Sequence, residues 1–173
     1  MDIEWEDLQA AFLSTRTDRE FYLDRETGEV VSLSDSEDEE EDRDEEDEAV
    51  EENEEETLRE EMESDPDRFI LVTPVSISDL VEWMLTFVHT VTVKDLANQL
   101  LQAQNGHHPD REFDRVLRQN PAERALWIGF LETQVQEIID GWTEENDVES
   151  DTPPPWKQKV ARRRPPTKPR DSA

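Results

Sequence analysis

Between Asp35 and Asp65 the chain carries 21 acidic and 2 basic residues. Like charges at that density repel one another and leave almost nothing to bury, so the run is expected to be disordered. Any core must therefore be built from the segments on either side of it. The last residues are biased in the opposite sense, with 7 basic and 1 acidic residue from Pro153 onward. With −29 overall, −19 in the acidic run and +6 in the tail, the remainder holds −16. That remainder is long enough for one modest domain.

Composition removes several function classes. Cysteine is absent, which excludes disulfides, zinc–thiolate sites and thiol catalysis. No apolar run approaches the ~20 residues needed to span a bilayer, and the acidic start Met1-Asp2-Ile3-Glu4 lacks a signal-peptide core. A cytoplasmic protein without membrane association is the expectation. An acidic body repels phosphates, so non-specific nucleic-acid binding by the folded part is disfavoured.

Upstream of the acidic run, Trp5, Leu8 and Phe12 recur at helical spacing. Then Phe21-Tyr22-Leu23 and Val30-Val31 flank a polar turn ending in Gly28, which reads as a β-hairpin. Asp24 is placed to bond turn amides, a structural role. The run's end, Glu54 to Met62, has helical tendency through Leu58, Met62 and its glutamates. Arg68 to Thr73 is a compact apolar run closed by Pro74, predicting a third strand beside the hairpin because a lone ribbon is rarely stable.

Helical periodicity dominates from Ser76 to Trp142. Ser76 and Thr92 are read as N-caps, Pro109 opens a short helix, and Asn120-Pro121-Ala122-Glu123 is the strongest start signal. The last helix is expected to run about 20 residues to Gly141 or Trp142. Ile128, Leu131, Val135, Ile138, Ile139 and Trp142 form its stripe, with Trp127 at the edge. Leu126 and Phe130 point away from that stripe. They mark either a second packing surface within the domain or a patch for a partner.

The expected architecture is α+β: a three-stranded antiparallel sheet packed with about five helices. Residues 1–34 and 66–150 form one domain, 35–65 is a disordered acidic insertion, and 151–173 is a disordered basic, proline-rich tail. In the tail, Trp156, Lys157, Lys159, Arg162, Arg163, Arg164, Lys168 and Arg170 form a strip able to contact nucleic acid or the chain's own acidic run.

No catalytic residue, metal site, cofactor or small-molecule substrate is indicated. The histidines are His89, His107 and His108, and the adjacent pair lies in a turn without helical ligand spacing. The four glycines are scattered, so no phosphate loop exists. The acidic run contains no glycine, unlike a calcium-binding EF-hand loop.

Phe21-Tyr22-Leu23-Asp24 followed by Glu26-Thr27-Gly28-Glu29-Val30-Val31 resembles the signature of a bacterial group named uncharacterised protein family 0158 of the UPF series. Ile70, Val72, Pro74, Met84, Phe87, Phe113, Val116, Leu117, Pro121, Trp127, Phe130 and Trp142 extend the resemblance in order and spacing. Gly106-His107-His108-Pro109-Asp110 departs from that group's commoner small-and-basic version. The resemblance implies the domain limits and the α+β fold, and it carries no activity or functional residue. The functional expectation is a non-catalytic interaction or regulatory module for a protein partner, with the acidic run acting against a basic one. The alternative is nucleic-acid binding through the tail, opposed by the acidic run.

Overall fold

The computed structural model of the chain describes residues 1–34 and 45–161; the side chains of 45–52 and 159–161 fall outside that description. Helix α1 (Trp5–Phe12) buries Trp5, Leu8, Ala11 and Phe12 on one face. Strands β1 (Arg19–Asp24) and β2 (Val30–Ser34) form the expected hairpin, with Tyr22 opposite Val31 and Leu23 opposite Val30. Gly28 closes the turn at φ 81°, a conformation that costs glycine nothing. A Cβ at this position would lie 2.0 Å from the carbonyl oxygen of Asp2. The N-terminal segment thus passes directly over the turn, and Glu4 N–H donates to the Gly28 carbonyl at 3.1 Å.

Strand β3 (Phe69–Val72) pairs with the other side of β1, giving an all-antiparallel sheet in the order β2-β1-β3. The outer strands consequently run parallel to each other, and the chain between them must cross from one edge to the other. Helix α2 (Glu45–Ser64) makes that crossing. The helical tendency read at Glu54–Met62 is present but belongs to a longer element, and from Asn53 onward the acidic insertion is structured, not loose chain. The expectation of disorder for residues 35–44 lies outside the described residues.

Helices α3 (Ile77–Val88), α4 (Lys94–Gln104), α5 (Pro109–Arg118) and α6 (Pro121–Glu145) follow. Ser76 caps α3, its hydroxyl accepting from Asp79 N–H at 3.1 Å. Helices α5 and α6 open at Pro109 and Pro121 as expected, whereas the α4 start and the capping at α6 differ from the sequence reading. Val93, not Thr92, is the N-cap of α4 and makes no side-chain cap bond. Asn120 stands at the N-cap of α6, but its amide donates back to the Val116 carbonyl at 3.1 Å. Pro121 at the first helical position therefore does more to set that start than the asparagine does. Helix α6 continues beyond Trp142 to Glu145. A last helix, α7 (Pro155–Ala161), begins the tail that composition marked as unstructured.

Among the described residues the apolar side chains close into two clusters. One joins α1 and the sheet to the second half of α6 through Leu8, Phe12, Leu23, Val72, Val135 and Ile139. The other joins α3, α4 and α5 to the first half of α6 through Met84, Phe87, Leu100, Phe113, Leu117 and Trp127. Helix α6 serves both, using two faces turned by about a quarter turn from each other. Trp127, Phe130 and Leu131 face the helical cluster, whereas Val135, Ile139 and Trp142 face the sheet cluster. The single stripe read from the sequence divides accordingly. Ile128 lies in the half where the other face is in use and Ile138 in the opposite half, and they are 40% and 36% exposed.

Candidate functional site

Helix α2 is fixed to the sheet by arginines at both ends of its described part. Arg59 Nη2 donates to the Ser34 carbonyl at the end of β2 at 3.0 Å. Arg19 of β1 lies 3.9 Å from Glu55, and Arg68, just before β3, lies 3.8 Å from Glu61. Leu58 and Met62, one helical turn apart, are half-buried. Among the other described side chains of the helix, Glu54, Glu56, Glu60 and Glu63 are exposed. Their spacing is thereby set by helical geometry instead of by a fluctuating chain.

Between α2 and the β2 side of the sheet is a cleft of about 700 Å³, lined by Arg19, Val31, Ser32, Glu54, Leu58 and Glu61. Arg19 Nη1 donates to Ser32 Oγ at 2.9 Å on one wall. The opposite wall carries the carboxylates.

Asp24 is the one polar residue among the described buried ones, 4% exposed. Its carboxylate accepts from the Glu26 N–H at 2.8 Å, the turn role expected of it, and pairs with Arg68. The Arg68 hydrogen bonds outweigh desolvation and, with the Glu26 amide, hold the Asp24 carboxyl below its ordinary range. The Arg68 guanidinium is correspondingly raised, first by Asp24 and then by Glu26 and Glu61 nearby. A buried acid so paired is a brace between the hairpin turn and the start of β3, not a proton donor.

The tail residues divide into a docked group and an undescribed one. Trp156 packs edge-on against Trp5 with ring centroids 5.5 Å apart, and its Nε1 donates to Asp140 at 3.3 Å. Lys157 Nζ lies 3.2 Å from the same carboxylate. The segment before them is clasped to the N-terminal residues: Trp5 Nε1 donates to the Thr152 carbonyl, Asp151 N–H to the Met1 carbonyl, and Thr152 Oγ1 to Asp2. Residues 151–158 are therefore part of the folded body, a correction to their reading as loose tail. The reason is a socket formed by residues distant in sequence. The Lys159 side chain, Arg162, Arg163, Arg164, Lys168 and Arg170 lie outside the described residues.

Of the other two candidates, Leu126 is 63% exposed. Phe130 is half-buried, stacked on Trp127 at 5.8 Å and tilted against Phe87 at 6.0 Å. His89, His107 and His108 are all exposed. Among the described residues no group of three or more His, Asp or Glu is placed to hold a metal ion, and no helix is long and apolar enough to cross a membrane.

Arg19, Arg59 and Arg68, which position the acidic helix, carried no signal of their own in the sequence. The available hint was Arg59, the one cation between Glu54 and Met62.

No curated protein and no solved structure matches the chain. A family model, described as Uncharacterised protein family (UPF0158), matches residues 1–153, which takes in the hairpin, the acidic helix, both apolar clusters and the start of the clasp. The chain belongs to that family.

Proposed function

We propose that the protein is a non-catalytic interaction module that presents the acidic helix α2 to a basic protein partner. The observation that carries this reading is the way the helix is held. Arg19, Arg59 and Arg68 tie it to the sheet, while Glu54, Glu56, Glu60 and Glu63 stay free to face a partner. A mobile acidic tail attracts cations without selecting among them. A helix with fixed carboxylate spacing favours surfaces whose cations match it, and electrostatic steering speeds their encounter. The docking of Trp156 against Trp5 supports this reading over nucleic-acid binding through the tail, since the ring that would stack on a base is engaged.

The test is affinity purification of the full chain beside a variant carrying Glu54→Gln, Glu56→Gln, Glu60→Gln and Glu63→Gln, at two ionic strengths. Basic proteins captured by the parent should be lost from the variant and from the parent at high salt. Capture of the same proteins by both chains, or of nucleic acid in place of protein, would overturn the reading.

A further inference from the structure

We infer that the cleft between α2 and β2 takes an extended basic peptide segment that adds to the sheet as a strand beside β2, a proposal that rests on the reading above and specifies the partner's conformation. Three observations meet at this place. First, β2 is an edge strand, since the order β2-β1-β3 leaves its outer side without a strand among the described residues. Second, its register fixes which peptide groups face outward. Asp24 N–H donates to the Glu29 carbonyl at 3.0 Å, so in antiparallel alternation Val31 and Leu33 bond inward to β1. Val30, Ser32 and Ser34 must then turn their peptide groups to the open edge. The Ser34 carbonyl does so visibly, because Arg59 of α2 takes it at 3.0 Å. Third, the wall facing that edge is acidic, with Glu54 and Glu61 on either side of Leu58.

A strand laid along β2 would satisfy the outward N–H and C=O groups of Val30 and Ser32, which is how edge strands recruit extended peptides. Its side chains alternate between the two faces of the sheet. Those on the α2 side would run over Val31 and Leu58 and end near Glu54 and Glu61. Lysine or arginine fits that path, with an apolar stem on the two hydrophobic residues and a cation at the carboxylates. The cation already in the cleft, Arg19, is bonded to Ser32 and lies near Glu55. The chain's own basic strip is poorly suited to the same edge, because Pro165, Pro166 and Pro169 interrupt it and lack N–H donors.

The test titrates the full chain with a heptapeptide alternating lysine and valine. Two analogues are run beside it, one N-methylated at the valines and the other at the lysines. Strand addition uses one edge of the peptide, so one analogue should lose about tenfold or more in affinity while the other retains it. Glu54→Gln with Glu61→Gln should weaken the parent peptide and flatten its salt dependence. Equal binding of all three peptides, or no binding of the parent, would overturn strand addition. Equal binding that still falls in the glutamine variant would do so while leaving the acidic-helix reading intact. That broader reading is judged separately by the affinity purification.

Discussion

Arg68 grips Asp24 with two parallel hydrogen bonds, Nε to Oδ1 at 2.8 Å and Nη2 to Oδ2 at 2.7 Å. The pair joins the end of β1 to the residue before β3, and the same guanidinium reaches Glu61 on α2. The acidic helix and the sheet thus share one brace. Because Asp24 is held below its ordinary carboxyl range in the fold, its ionised form favours the folded state. That contribution is complete above the unfolded value of about 4 and disappears as pH falls through the lower folded value. Asp24→Asn is expected to lower Tm near neutral pH, since it removes the ionised partner of the two Arg68 hydrogen bonds. Thermal melts of both chains from pH 7 to pH 2 should show the gap narrowing below about pH 4. A gap independent of pH would mean that the carboxylate charge is not what the brace uses.

The tail gives a second prediction. Trp156→Ala removes the edge-on contact with Trp5 and the bond to Asp140, and should cost about 1–2 kcal/mol. For a chain of this size that is a fall of several degrees in Tm. Lys157→Ala, whose ammonium is more than half exposed in its pair with Asp140, should change Tm hardly at all. A Trp156→Ala variant melting with the parent would return residues 151–158 to the solvated tail.

What could be read in the sequence was what neighbours in the chain determine. Gly28 announced its turn, Ser76 and Pro121 their helix starts, and the Arg68–Thr73 run its strand, because each is fixed by residues within one turn or one pleat. Arg68 as partner of Asp24 was not legible, since the two are separated by the whole insertion and meet only after β3 has paired with β1. Trp156 was hidden for the same reason. Its proline-rich surroundings argue against structure, and its socket is built from Trp5 at the other end of the chain. The acidic helix was half legible: Leu58, Met62 and the glutamates gave its helical tendency, but the carbonyl that Arg59 takes belongs to the end of β2. Of the proposed cleft, β2 and the helical tendency of Glu54 to Met62 could be seen in advance but not their meeting, because an edge becomes an edge only when the strand order is known.

Helix α6 supplies the last prediction through two neighbours of identical chemistry. Ile138 and Ile139 are adjacent and would appear equally hydrophobic to any reading of composition, and both lie on the stripe that a single-core helix would bury. In the fold, Ile139 is fully buried against α1 and the sheet, whereas Ile138 is 36% exposed. Ile139→Ala should therefore cost about 3–4 kcal/mol through lost contacts and a residual cavity, and Ile138→Ala about 1 kcal/mol or less. The first half of the helix should show the complementary pattern. Phe130→Ala, which strips a ring from Trp127 and Phe87, should cost about 2–3 kcal/mol. Leu126→Ala should stay within about 0.5 kcal/mol. Urea unfolding of the four variants measures all of these on one scale. Similar losses at 138 and 139 would mean that α6 buries one continuous stripe against a single core, and the division between the two clusters would fall with it.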